Sequence, residues 1–234
     1  MKKLSLFLIV LLLAGCAASP ENTAPPQTVA TVPPEPGLDI QSVPIAHNNT
    51  AAGGRLRFLE QSRYTGGFLE DGSGVAVENV AALLVRNDSQ QYLHHSVLTF
   101  RVGDSTATFK VTGLPPGASC WVLEQNRLQI DAAQRLEYQS EAHTIFAPVE
   151  RVTELDVELL SGSLIVRNIS QESIRSAYIY YKELHTDGNY LGGITYRCLV
   201  GSMKPGTQQQ LNASHSTPGF TRVVRIERSK EETT

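Results

Sequence analysis

Two stretches of the chain alternate as half-buried strands must, with one parity facing a core and the other facing away, and they are copies of one another. Ser96, Leu98 and Phe100 fall on one parity, Val97, Thr99 and Arg101 on the other. At an offset of 81 residues, Ala177, Ile179 and Tyr181 take the first set of places and Tyr178, Tyr180 and Lys182 the second. A slip of one residue would turn each apolar set to water, so the pattern predicts the first sets inward and the second sets outward. Upstream of each stretch a short run also recurs: Val85-Arg86-Asn87 with Ser89, then Val166-Arg167-Asn168 with Ser170. Asn and Ser side chains bond nearby backbone and compete with regular structure, so each run predicts a strand end and a side-chain-capped turn.

Each copy then reaches a turn signal, Leu114-Pro115-Pro116-Gly117 and Met203-Lys204-Pro205-Gly206. Proline presets φ and glycine accepts positive φ after it, so both should reverse the chain. The offset has grown from 81 to 89, and the extra residues lie around His185-Thr186-Asp187-Gly188-Asn189. There Asp-Gly predicts a tight hairpin with φ > 0 at both central positions, whereas copy one has the shorter Val102-Gly103-Asp104-Ser105. Trp121-Val122-Leu123, residues 208–211 and Val223-Val224-Arg225-Ile226 predict further strands. In residues 51–80, Leu56-Arg57-Phe58-Leu59 reads as a first strand and the approach to Val85 as the next; the rest shows no clear pattern.

The N-terminus follows different rules. Lys2 and Lys3 precede an apolar run, residues 4–13, broken only by Ser5. As a helix that run would span about 15 Å, half a bilayer core, so it predicts a signal-peptide core and not a membrane span. Leu13-Ala14-Gly15-Cys16 resembles the bacterial lipobox, which implies cleavage before Cys16 and a diacylglycerol on its sulfur. Residues 16–50 hold seven prolines among Ser, Thr, Asn and Gln, too little apolar surface to offset ordering entropy; they predict a disordered tether reaching on the order of 100 Å. Without Lys2 and Lys3 the balance is 18 basic against 23 acidic residues, which argues against a nucleic-acid partner. Besides Cys16 the chain has Cys120 and Cys198, too few for a disulfide framework. Cys198 falls in parity with Ile194, Tyr196 and Val200 and should face the core; a Cys120–Cys198 bridge between the copies and two free buried thiols both remain open.

The second copy runs SLIVRNIS, SAYIYYKE, a DG hairpin with YLGG, GITYRCLV and KPG. This order resembles the FxLYD domain, a small β-sandwich of secreted and lipid-anchored bacterial proteins, over roughly residues 160–228, with a fainter version over 80–125. Ile179-Tyr180-Tyr181-Lys182 stands where the family's naming stretch would read Phe-x-Leu-Tyr-Asp. The resemblance implies an extracytoplasmic location and an immunoglobulin-like sandwich, and brings no catalytic residues with it. The expected fold is therefore all-β: a signal peptide at 1–15, lipidated Cys16 with a tether at 16–50, a first sandwich at 51–150 and a second at 151–234.

Chemistry is sparse. No G-x-S-x-G, H-E-x-x-H, C-x-x-C or phosphate-cradling glycine loop occurs. His94 and His95 are adjacent, so on a strand they would face opposite ways; they are expected in a solvated turn. His185 and Asp187 sit at the hairpin tip, where turn chemistry accounts for the aspartate. No metal, cofactor or catalytic set is expected. Tyr178 and Tyr180 are the candidate binding residues, because outward tyrosines supply contact area at low entropic cost where copy one has Val97 and Thr99. The expectation is a non-enzymatic, lipid-anchored envelope protein that binds or scaffolds. Its partners would be the membrane, through Cys16, and an envelope protein or cell-wall polymer. An outer-membrane location is permitted, since Ala17 is not a retention signal. A structural spacer or assembly subunit is the alternative, and a wall hydrolase a more distant one.

Overall fold

The computed structural model describes residues 37–39, 41–45, 47, 49–149 and 152–229. The expected signal peptide, lipidated Cys16, the tether up to residue 36 and the 150/151 domain boundary lie outside the described residues. Within them the fold is all-β, with one short 3-10 turn at Ala52–Gly54. No helix among the described residues is long and apolar enough to cross a membrane.

Three two-residue strands, β1 (Gly37–Leu38), β2 (Val43–Pro44) and β3 (Thr50–Ala51), lie antiparallel along β4 (Leu56–Gly67). Part of the stretch expected as tether is therefore fastened down, because the outer edge of β4 offers backbone donors and acceptors that an extended segment can pair. The first half continues with β5 (Ala76–Asn87), β6 (Tyr92–Val102), β7 (Ser105–Leu114), β8 (Ser119–Leu123) and β9 (Glu137–Ala147). The second half has β10 (Leu155–Leu160), β11 (Ser163–Asn168), β12 (Ala177–Leu184), β13 (Tyr190–Val200), β14 (Gln208–Asn212) and β15 (Thr221–Arg228).

These strands form three sheets. One runs β1-β4-β5-β8-β13-β12-β15, with β2 and β3 also on β4; the others run β7-β6-β9 and β10-β11-β14. In the first half, Phe58 of β4, Leu83 and Val85 of β5, Phe100 of β6 and Phe109 of β7 share one apolar cluster. Phe58 meets Phe100 at 5.0 Å and Phe100 meets Phe109 at 5.5 Å between ring centroids, both edge to face. In the second half, Leu164 and Val166 of β11 join Ala177, Ile179 and Tyr181 of β12 and Cys198 and Val200 of β13. Two sheets thus close over a core in each half, as a sandwich does.

Both expected inner sets, Ser96/Leu98/Phe100 and Ala177/Ile179/Tyr181, are buried. Residues 80–85 of β5 are apolar without alternation because both faces are covered: Ala81, Leu83 and Val85 face the first core, while Val80, Ala82 and Leu84 join a separate cluster with Tyr64, Phe68 and Trp121. The Pro-Gly turns form as expected, with φ of 73° at Gly117 and 71° at Gly206. The Asp-Gly hairpin does not take the tight two-residue form. A five-residue connection joins β12 to β13, with positive φ at Gly188 and not at Asp187.

The halves are not strung on a spacer. Strands β8 and β13 pair in parallel through Tyr190 with Cys120 and Leu191 with Trp121, so one sheet crosses from the first half into the second. The described residues form one compact unit.

Candidate functional site

The β8–β13 crossing has few direct backbone pairs, and buried side chains complete it. Past the two paired positions the strands part, leaving inward N–H groups at Leu123 and Gly193. Glu70, which follows β4 in the loop leading to β5, satisfies both: its Oε1 accepts from Leu123 N at 2.7 Å and from Gly193 N at 2.8 Å, and its Oε2 lies 2.9 Å from Gly193 N. Glu70 is 7% exposed. Burial raises its carboxyl to about 7, against the opposing pull of those amides and of the Lys182 charge.

Lys182 serves the carbonyl side of the same crossing. It was expected to face outward with Tyr178 and Tyr180, but its exposure is 0%. Register shifts on both edges of β12 explain the difference: the pairing with β13 slips between Tyr181 and Glu183, and that with β15 slips between Tyr180 and Tyr181. An extra residue at a bulge re-aims the side chain that follows. Lys182 Nζ donates to the carbonyls of Ile194 at 2.6 Å, Gly192 at 2.9 Å and Thr112 at 3.2 Å. A buried ammonium costs several kcal/mol unless its donors are used, and here all three have an acceptor. Cys120 lies in the same cluster, its thiol donating to Gly192 O at 3.1 Å, and burial pushes it up to about 11.

Close backbone approach makes the joint possible. A Cβ on Gly193 would lie 1.8 Å from Lys110 O and 2.7 Å from Val122 Cγ1, so glycine is required there. Thr112 Oγ1 donates to Gly193 O at 2.8 Å, and Thr195 Oγ1 donates to Thr112 O at 2.9 Å, tying β7 to β13. At the hairpin tip Trp121 Nε1 donates to Asp187 Oδ2 at 2.9 Å, a further bond between halves. Asp187 also lies 3.1 Å from His185 Nδ1, and its pKa is lowered by hydrogen bonds from Trp121, Asn189 and His185, which outweigh its desolvation.

Above this joint opens a recess of about 290 Å³. The first half contributes Tyr92, His94, His95, Thr112 and Gly113, and the second contributes Tyr180, Thr195 and Arg225. His94 and His95 therefore belong to β6 and not to a preceding turn; the β6–β9 register slips beside them, and both border the recess. Tyr180 stands opposite Arg197 on one side and Arg225 on the other. Tyr178 lies farther along the same face, with the Arg197 guanidinium 4.7 Å from its ring centroid and Leu199 opposite it and exposed. Both tyrosines are half-buried. A second depression, of about 450 Å³, is framed by Pro44, Gln61 and the segment 135–139, where Arg135 and Glu137 carry opposite charges.

No group of three or more His, Cys, Asp or Glu side chains among the described residues is arranged to hold a metal ion. Cys120 and Cys198 are both free and buried, so the bridge between copies is not formed. Sequence reasoning placed Tyr180 and both histidines in view but missed Glu70, Lys182 and Gly193. Glu70 sits in Leu69-Glu70-Asp71-Gly72, which reads as an acidic turn, and Gly193 reads as part of a hairpin. The one available signal was the doubled glycine inside an otherwise strand-like run, which marks a bulge or a close approach. In comparison with known proteins, no family model matches the chain and no curated protein matches it significantly.

Proposed function

We propose that this chain is a non-enzymatic, lipid-anchored protein of the extracytoplasmic envelope that binds or scaffolds through the outer face of its second half. In this reading Cys16 carries the anchor, the proline-rich segment supplies reach, and two immunoglobulin-like, FxLYD-like units present the binding face. The observation that carries it is the juxtaposition of Tyr178 and Tyr180 with Arg197, Leu199 and a recess shared by both halves. Aromatic and guanidinium groups clustered at one face are the chemistry of interface anchors.

The test is capture by the full-length chain from solubilised envelope and from purified cell wall, with and without Tyr178→Ala plus Tyr180→Ala. A partner retained by the wild type and lost by the double variant is the expected outcome. Equal capture by both chains would overturn the tyrosine face.

One observation favours a second reading, a rigid spacer or assembly subunit: the halves are locked by a shared sheet and by Lys182 and Glu70, which fixes their mutual orientation. A spacer would capture nothing in that assay, yet co-purify in fixed ratio with its assembly.

A further inference from the structure

The loop that carries Glu70 is built to move as a unit. Gly67 pairs with Ala76 at the end of β4 and β5, and beyond that pair the chain closes on itself. Phe68 N donates to Val75 O at 2.8 Å, Gly74 N to Phe68 O at 3.1 Å and Gly72 N to Leu69 O at 3.0 Å. Phe68, 1% exposed, anchors the base in the cluster with Tyr64 and Trp121. Gly74, at φ 63° with open space where a Cβ would stand, leaves the return arm free to swing.

Side chains tie this loop to the joint. Leu69 lies against Gly192, where an added Cβ would stand 3.2 Å from the leucine Cβ. Glu70 Oε1 accepts from Leu123 N and Gly193 N. Asp71 pairs with Arg127 at 2.7 Å, and the Arg127 guanidinium carbon lies 4.7 Å from the Phe68 ring centroid. Asp71 and Arg127 are both exposed, so that pair holds weakly, and the buried carboxyl is the tie that decides whether the loop stays. Lys182 spends its three donors on the carbonyls of Thr112, Gly192 and Ile194, so it reaches Glu70 through its field and not through a bond. Cys120 on β8 and Tyr196 on β13 feel the same carboxyl, and both stay neutral because burial raises them. Gln125 beside it is uncharged, and Asp71 on its own loop is kept ionised by Ser73 and Arg127. Of these groups Glu70 alone changes charge between pH 4.5 and about 7.

We propose that residues 69–73 form a strap over the β8–β13 joint, closed while Glu70 is protonated and released when it ionises, with every strand pair left in place. A carboxylate at 7% exposure has given up most of its hydration, and swinging the loop out returns it to water. Closed, the carboxyl titrates at about 7; released, it returns to its ordinary 4.5. The released population therefore climbs nearly tenfold per pH unit across that interval, about 300-fold in all, and then levels off. Release hands Leu123 N and Gly193 N to water and leaves the halves held by the pairs at Tyr190 and Leu191 and by Lys182. The joint is thus stiff in acid and pliant at neutral pH, whether or not the outer face binds a partner.

The experiment is amide hydrogen exchange of the full-length chain in detergent, followed from about pH 5 to about pH 8.5. Base-catalysed exchange itself quickens about tenfold per pH unit, and release adds its own factor to that. The Leu123 and Gly193 amides should exchange at least ~10-fold faster than those of the β6–β7 ladder. They should quicken nearly a hundredfold per pH unit up to about pH 6.5, and about tenfold per unit above about pH 7.5. Glu70→Gln should show the tenfold dependence throughout. Asp71→Asn, which loosens the pair with Arg127, should speed both amides several-fold at every pH and leave the ladder unchanged. Cys120 should stay unlabelled by a thiol reagent, since its pair with Val85 is kept. Should Glu70→Gln fail to fold, the wild type and Asp71→Asn decide the matter. Exchange at Leu123 and Gly193 no faster than in the ladder would overturn the strap, and a tenfold dependence in the wild type would overturn its control by Glu70. Labelling of Cys120 in step with exchange would mean that the whole joint parts, which equally overturns a local strap.

Discussion

Asn87 and Asn168 do the same work in the two halves of the chain. Each Nδ2 donates to the carbonyl four residues on, Gln91 at 2.8 Å or Glu172 at 2.8 Å, and to the carbonyl that opens the Pro-Gly turn, Leu114 at 2.9 Å or Met203 at 3.3 Å. Each Oδ1 accepts from the backbone and hydroxyl of the serine two residues on, Ser89 or Ser170. Each backbone carbonyl accepts from the glycine of the Pro-Gly turn, Gly117 at 2.7 Å or Gly206 at 2.9 Å. The repeated run is thus a buried clasp joining a strand end, the turn after it and the Pro-Gly turn downstream, whose glycine lies 30 residues on in the first half and 38 in the second.

Removing either side chain takes a donor from one buried carbonyl, Leu114 or Met203, and from one part-buried carbonyl, Gln91 or Glu172, and takes the acceptor from the serine. Asn87→Ala and Asn168→Ala should each destabilise the fold by about 2–4 kcal/mol in urea unfolding. Asn87→Asp keeps the acceptor for Ser89 but sets a carboxylate against the carbonyls of Gln91 and Leu114, so it should do no better than alanine at pH 7. A loss below ~0.5 kcal/mol for both alanine variants would show that the clasp is dispensable.

Gly193 and Gly188 make a matched pair for testing the joint. Gly188 has φ 86° with open space around its missing Cβ, whereas Gly193 is closed in by Lys110 O. Gly188→Ala should cost about 1 kcal/mol from backbone strain alone. Gly193→Ala should cost well over ~3 kcal/mol, because backbone on β7 must move. Comparable melting shifts for the two would contradict the close approach.

The Glu70 carboxyl is raised from 4.5 to about 7, so the folded chain holds a proton that the unfolded chain releases. Its contribution is complete below pH 4.5 and is lost as pH rises to about 7, a loss of about 3 kcal/mol in all. Besides burial, the groups acting on it are the Gly193 and Leu123 amides, the Lys182 charge and Gln125, all of which pull it down. Glu70→Gln stays neutral throughout, so the difference in urea midpoint between wild type and variant should change between pH 5 and pH 7.5, the wild type losing ground. A constant difference would mean that Glu70 does not titrate in this window.

Burial also governs the thiols. Cys120 is pushed up to about 11 and Cys198 is raised as well, both chiefly by desolvation. Neither should react with a thiol reagent in the native chain at pH 8, and both should react once urea unfolds it. Rapid native labelling of Cys120 would show that the joint opens readily.

Strand identity, the clasp turns and both Pro-Gly reversals were legible in the sequence because each depends on residues near one another. Period-two alternation puts Leu98, Phe100, Ile179 and Tyr181 inward whatever the rest of the chain does. An asparagine two places before a serine makes its turn locally. The joint is of another kind. Glu70 meets Gly193 across 123 residues of chain, and Lys182 meets Thr112 across 70. On its own strand Lys182 falls on the polar parity and looks like a solvated residue. Tertiary structure alone decided that a bulge turns it inward, where the unpaired carbonyls of a parallel crossing await a donor. Such a demand arises only once two distant strands meet, so no local pattern in the sequence records it.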